Sequence, residues 1–229
     1  MLCENIHPCH YCMNKIDLFS NLPEEVKGHL ESKISHLWLE KGKTLFRQGD
    51  GSPGIYILHQ GKVKLHKYNL EGKETIFDIA MSGDVIGEDF FLDNQGSPYD
   101  ATTISDVYLC ILKAEDFIDI LHSYPDATIN LINSLMRKLQ MANEKSAILS
   151  ENDAKLRVMK FLYAYSRRQH GRDIELGVDE IAASINLRRE TVSRKISELQ
   201  EEGLIVRLGQ SHLRILDRDK SKNFLEAKL

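Results

Sequence analysis

The chain is 229 residues long, 42% hydrophobic and 28% charged, an ordinary globular composition and a length sufficient for two domains with their own cores. Its formal net charge of −4 excludes a protein that holds nucleic acid merely by being basic. There is no charged leader followed by an apolar run, and nothing near the roughly 18 consecutive apolar residues of a membrane span, so neither secretion nor membrane insertion is expected and the expected compartment is the cytoplasm. The charge is unevenly placed, with 14 Lys+Arg against 21 Asp+Glu in residues 1–150 and 16 against 13 in residues 151–229. A mildly basic C-terminal part is compatible with phosphate contact.

Three of the four cysteines, Cys3, Cys9 and Cys12, fall within residues 1–15, which read as a separate N-terminal cysteine segment. The fourth, Cys110, lies in the apolar run Val107-Tyr108-Leu109-Cys110-Ile111-Leu112. In an intracellular protein such a set points to metal binding or redox chemistry rather than to a structural disulfide framework. Cys3, Cys9 and Cys12 with His7 or His10 would serve as a zinc donor set; the bland alternative is a frayed terminus and an inert buried thiol. An enzyme built on Cys9-x2-Cys12 as a thioredoxin-like dithiol is not expected. That motif should open a helix after a strand, whereas here it precedes every expected strand and Pro8 lies outside the pair.

A short helical segment is expected around Asp17 to Ser32. From about residue 36 to 112 the chain is punctuated by Gly42, Gly49, Gly61, Gly72, Gly83 and Gly87, with β-rich runs between them such as Gly54–Leu58, Lys62–His66 and Thr75–Ile79. Turn signals spaced about 8 to 12 residues apart mark a small sandwich or barrel, and the alternation in Lys62–His66 marks a strand with one wet face. The stretch therefore reads as an all-β domain preceded by the short helical segment, and residues 16–125 together as a sensory β-roll domain.

The period then changes. Thr128, Ile132, Leu135, Leu139, Ala142, Ser146 and Leu149 recur at alternating spacings of four and three, a heptad seam that predicts a dimerisation helix over 126–152. The alternative is a helix lying on its own β-domain. Asn152-Asp153 interrupts the pattern and offers a cap, after which Ala154–Arg168 resumes as a separate amphipathic helix. The break marks a hinge and opens a C-terminal domain over 153–229.

Within that domain Val178–Ile185 reads as a short first helix, Asn186 as a turn residue tolerant of positive φ, and the segment from Arg189 as a second helix. At about 100° per residue Arg189, Glu190, Ser193 and Arg194 share one arc of roughly 140°, while Val192, Ile196 and Leu199 form a separate apolar stripe. One face packs and the other can enter a major groove. Gly203 sits at a helix C-cap, and Leu204–Leu208 and His212–Leu216 flank a turn at Gly209-Gln210. This is a wing, carrying Arg207 and Arg214 as candidate phosphate contacts.

The order β-roll, long helix, winged helix-turn-helix resembles the superfamily of the cyclic AMP receptor protein and the fumarate and nitrate reduction regulator over nearly the full length. The specific segments are Arg189–Arg194 (Arg-Glu-Thr-Val-Ser-Arg), Glu201–Ile205 (Glu-Glu-Gly-Leu-Ile) and Gly83–Glu88 (Gly-Asp-Val-Ile-Gly-Glu). The implied fold class is α+β: an N-terminal jelly roll of cyclic-nucleotide-binding type, a dimerisation helix and a C-terminal winged helix-turn-helix. The resemblance implies a homodimeric transcription regulator, closest to the fumarate-regulator and Flp-like types, that reads a palindrome of TGA-like half-sites and works with RNA polymerase. Residues matching Arg189, Glu190 and Arg194 read bases in receptor-type members, and those matching Glu190, Ser193 and Arg194 do so in the fumarate-regulator type; the chain carries both sets. Arg forks to guanine, Glu accepts from cytosine N4 and Ser reaches a base edge. Where relatives place a Ser or Thr cap this chain has Arg188, a further candidate phosphate contact.

Gly87 and Glu88 match the glycine and ribose-binding glutamate of the family's phosphate cassette, but Tyr99-Asp100 stand where nucleotide binders carry Arg-Ser. An aspartate there repels the cyclic phosphate, so cyclic AMP is not expected as the effector. The resemblance instead implies a 4Fe-4S cluster on Cys3, Cys9, Cys12 and Cys110, four thiolates being the number required, although Cys3-x5-Cys9-x2-Cys12 reverses the usual order of spacings. A Cys9–Cys12 or Cys12–Cys110 disulfide, suggested by lactic-acid-bacterial relatives, and zinc are the alternatives. A regulator answering to another small molecule without redox sensing is the alternative function.

Overall fold

β3 (Gly54–Gln60) and β8 (Val107–Lys113) are the strands with nearly continuous apolar runs, the pattern of a strand buried on both faces. The computed structural model, which describes residues 16–51, 54–88, 96–169, 171 and 173–226, places them side by side at the centre of a sheet. The chain divides into two compact units, Met1–Lys138 and Leu139–Leu229.

In the first unit a 3₁₀ turn at Asp17–Phe19 and helix α1 (Glu24–Glu31) occupy the span read from the sequence as one helical segment. Pro23, at the N-cap of α1, restricts the preceding residue away from helix and separates the two. Strands β1 (Ser35–Leu39), β2 (Thr44–Phe46), β3, β4 (Lys62–Tyr68), β5 (Glu74–Met81), β6 (Val85–Ile86), β7 (Asp100–Thr103) and β8 follow, then helix α2 (Ala114–Ser123). They form two antiparallel four-stranded sheets, ordered β1-β8-β3-β6 and β2-β7-β4-β5. Between the sheets lie Tyr56, Leu58, Val63, Leu65, Ala101, Val107 and Leu109. The other face of the first sheet carries Ile57, Cys110 and Leu112 against Ile16, Leu18, Phe19, Leu30, Phe117 and Ala127. Hence β3 and β8 are apolar on both sides, whereas β4 alternates. Gly61, at φ 90, turns the chain from β3 into β4, where a Cβ would lie 2.1 Å from the Asp106 carbonyl oxygen.

Helix α3 (Pro125–Leu149) gives residues to both units. Its end and the start of α4 (Ala154–Arg168) follow the break read at Asn152-Asp153: Asp153 caps α4, its carboxylate accepting the Lys155 and Leu156 N–H groups. Beyond α4 the second unit has β9 (Asp173–Ile174), α5 (Val178–Ser184), α6 (Arg189–Glu201), β10 (Ile205–Gly209), β11 (His212–Ile215) and α7 (Arg218–Glu226), with the strands ordered β10-β11-β9. Its core takes Leu156, Met159 and Leu162 from α4, Ile181 from α5, and Val192, Ile196 and Leu199 from α6, all at most 5% exposed.

Candidate nucleic-acid interface

Asn186 is, among the described residues, the one non-glycine with positive φ, at 53°. Its left-handed backbone ends α5, where the Leu187 N–H donates to the Ala182 carbonyl, and turns the chain into α6. The N-cap of α6 is Arg188, whose side chain makes no capping bond, leaving the first-turn N–H groups for another acceptor such as a phosphate. Its far end closes with a Schellman motif on Gly203 (φ 66): Gly203 N–H donates to Gln200 and Leu204 N–H to Leu199. The apolar stripe of Val192, Ile196 and Leu199 is buried, so α6 is held on one side and presents the other.

That presented side is a shallow groove of about 400 Å³ lined by Arg189, Glu190, Ser193, Arg194 and Ser197. Four of the five are the residues singled out from sequence. Ser197, one turn beyond Ser193, was missed, although its spacing alone places it on the same arc. Arg189 donates from Nη1 to Asp179 Oδ2 on α5 at 2.6 Å, with both side chains about two-thirds exposed. An ion pair in water is worth little, so Arg189 can leave Asp179 for a base or phosphate.

The wing is a hairpin whose turn residues are Gln210-Ser211, one residue later than read from sequence, because Gly209 still pairs with His212 across a register shift after Arg207. Arg207 is exposed on β10. The Arg214 guanidinium forks onto Asp173 of β9, Nε to Oδ1 at 2.5 Å and Nη2 to Oδ2 at 3.0 Å. The hydrogen bond from Arg214, with a smaller contribution from His212, holds the Asp173 carboxyl below its usual range. Both partners of this pair are nearly half exposed, so Arg214 can leave Asp173 as Arg189 can leave Asp179, and Arg207 and Arg214 both stay candidate phosphate contacts on the wing. Replacing Arg207 with Ala should weaken binding to all DNA sequences alike and lower the salt slope by about 1 for each phosphate no longer neutralised, read by titration at several salt concentrations.

On α3 the predicted seam is solvent-facing in the single chain: Ile132 is 53% exposed, Leu135 37%, Leu139 52% and Leu149 38%, with Ala142 exposed beside them. Ile129 and Met136, missed from sequence, widen the stripe. The inward side instead carries Ala127, Leu131 and Lys138. An apolar row of this length is the signature of an association surface.

In the β-roll, Asp100 Oδ1 accepts the Gln48 N–H at 2.8 Å and Tyr99 packs on Phe46, so an anionic side chain stands at the start of β7. Glu88 is buried and ion-paired with Lys138. Cys110 is 1% exposed, and its register partner across the sheet is His36. The sulfur lies 3.2 Å from His36 Nδ1 and 3.0 Å from His59 Nε2, and the Tyr108 hydroxyl lies 2.8 Å from His36 Nδ1. Burial, then the nearby His36 imidazole, pushes the His59 pKa down to about 4, so His59 is neutral at pH 7. Cys3, Cys9, Cys12 and the zinc candidates His7 and His10 lie outside the described residues. Among the described residues no group of three or more His, Cys, Asp or Glu could hold a metal ion, and no helix is long and apolar enough to cross a membrane.

Residues 36–124 match the family described as a cyclic nucleotide-binding domain, and residues 156–220 the Crp-like helix-turn-helix domain. The chain is 34% identical to the cyclic AMP receptor protein of Thermus thermophilus, over 84% of this chain and 88% of that one. It is 26% identical to the probable transcriptional regulator flp of Lacticaseibacillus casei, over 94% and 98%. The structure of FixK2 from Bradyrhizobium japonicum superposes with a TM-score of 0.75 at 21% identity, covering 83% of this chain and 96% of that one, a likeness of fold. The exposed reading face of α6, the wing and the β-roll agree with these matches: the chain belongs to the family of DNA-binding transcription regulators that includes the cyclic AMP receptor protein and the fumarate and nitrate reduction regulator.

Proposed function

We propose that this regulator binds, as a homodimer, a palindrome of TGA-like half-sites about one helical turn apart, recruits or blocks RNA polymerase from there, and is controlled by oxygen or redox state through its cysteines. The observation that carries the DNA reading is the groove on α6, where Arg189, Glu190, Ser193, Arg194 and Ser197 stand together on the one face not used for packing. These side chains supply donors for guanine and an acceptor for cytosine N4. The exposed stripe on α3 supports the dimer, since a two-fold axis through it repeats the reading helix.

Redox control is supported by position. Cys110 shares its buried cluster with Ile16, and Cys12 lies four residues before Ile16 in the chain. At about 3.5 Å per extended residue that is a tether of roughly 14 Å at most. The donor set fits a 4Fe-4S cluster in number: Cys110 would supply one thiolate and Cys3, Cys9 and Cys12 the others. Such a cluster, when bound, supplies oxygen-sensitive redox chemistry. This chain's own part is to keep Cys110 away from water, between His36 and His59. A Cys12–Cys110 or Cys9–Cys12 disulfide and zinc are the competing occupants. Cyclic AMP is not the effector in this reading, because Asp100 opposes its phosphate.

Anaerobically purified protein tests the choice. A cluster gives broad absorbance at about 400 nm, lost in Cys110→Ala; zinc and free thiols give none. DNA affinity that differs between aerobic and anaerobic protein, and ceases to differ in Cys110→Ala, supports redox control. Equal affinity under both conditions with all cysteines intact sinks it and leaves a regulator answering to another small molecule.

A further inference from the structure

Glu88 follows Gly87, which is held at φ 98, directly after β6, and it is 5% exposed. A carboxylate at such depth is costly to keep charged unless a cation and hydrogen bonds compensate it. Here Lys138 of α3 reaches down to it. The ammonium donates to Glu88 Oε1 and also to the Val85 carbonyl oxygen at 2.8 Å, so one group grips both a side chain and the backbone of the same turn.

Lys138 is placed for this by helix geometry. With Ala127 and Leu131 it lies within about 40° of arc on the inward side of α3, whereas Ile129, Ile132, Met136 and Leu139 lie roughly 120° to 200° around the helix. The side that holds Glu88 and the side that would meet a second copy are therefore faces of the same helix.

We propose that Lys138 is a ligand supplied by the chain itself: its ammonium occupies the carboxylate of the β6 turn and fixes α3 on the β-roll in the arrangement that binds DNA, with no diffusible effector in the roll. Lys138 is a positioning residue in this account, acting through Glu88 and α3. The inference rests on the dimeric DNA-binding reading above, and it predicts that cyclic nucleotides leave the DNA affinity of the wild-type protein unchanged.

The test is chemical rescue. Lys138→Ala should keep its circular dichroism spectrum and lose about tenfold in affinity for the palindrome, within the usual range of coupling factors. Millimolar n-propylammonium should restore the affinity, and tetramethylammonium, which has no N–H to donate, should not. Lys138→Arg should retain the affinity, while Glu88→Gln should lose it and resist rescue, since its neutral amide no longer holds an ammonium. Lys138→Ala that binds like wild type, or that is rescued by neither the amine nor Arg, overturns the proposal. Hydrogen exchange gives a readout independent of DNA: protection across residues 127–138 should fall in Lys138→Ala and return with propylammonium. If wild-type protein fails to bind any palindrome the DNA reading fails, yet exchange still decides the Lys138 grip; unchanged protection refutes it.

Discussion

Arg194→Ala should sharply reduce the preference for the palindrome over unrelated DNA while leaving the weak, salt-sensitive binding to unrelated DNA nearly intact. Arg194 lines the α6 groove with Glu190 and Ser193 and has the fork that pairs with guanine O6 and N7. One good pair contributes about 1–3 kcal/mol of discrimination. In a symmetric dimer the substitution acts in both half-sites, so the loss doubles to about 2–6 kcal/mol, roughly 30-fold or more. Glu190→Ala should instead relax selection at one base pair, because the carboxylate both accepts from cytosine N4 and repels wrong bases that present acceptors. Competitive titration with palindromes mutated at single positions separates the two. Loss of both specific and unrelated binding in parallel would mean that Arg194 contacts phosphate.

Leu139→Asp should give a folded monomer that no longer holds the palindrome. Leu139 is half exposed in the single chain, so the substitution costs the protomer little, within about 0.5 kcal/mol. Across a two-fold seam it brings two carboxylates together in an apolar interface, where an unpaired buried charge costs about 3–5 kcal/mol. A monomer reads one half-site and loses most of the affinity. Sedimentation together with thermal unfolding distinguishes dissociation from unfolding. A Leu139→Asp protein that stays dimeric at micromolar concentration would place the interface elsewhere.

Features encoded locally were legible in the sequence. The start of α4 follows from Asp153 as a cap, the turn from Asn186, the end of α6 from Gly203, and the reading face from helical period alone. The exposure of Ile132, Leu135 and Leu139 follows from the same period; Ile129 and Met136 were passed over because a strict heptad samples a narrower stripe than the helix leaves open. What was illegible depends on pairing between distant segments. Arg214 meets Asp173 because β11 lies against β9, and no spacing in the chain announces that a wing cation is already engaged. His36 and His59 surround Cys110 because β1 and β3 flank β8 in one register. The sequence marks Cys110 as a candidate redox cysteine but does not show the two imidazoles beside it. The Lys138 grip on Glu88 is of the same kind, joining a turn to a helix 50 residues away.

The most direct measurement is equilibrium binding of the full-length protein to one DNA fragment carrying two TGA-like half-sites a helical turn apart, beside fragments with one half-site scrambled and with both scrambled. One dimer should bind each intact palindrome, with a drop of at least about 10³-fold on scrambling both half-sites. Arg194→Ala should narrow that gap by roughly 30-fold or more. Equal affinity for all three fragments, or discrimination that survives Arg194→Ala and Glu190→Ala together, would contradict the assignment of the α6 groove as the surface that reads DNA.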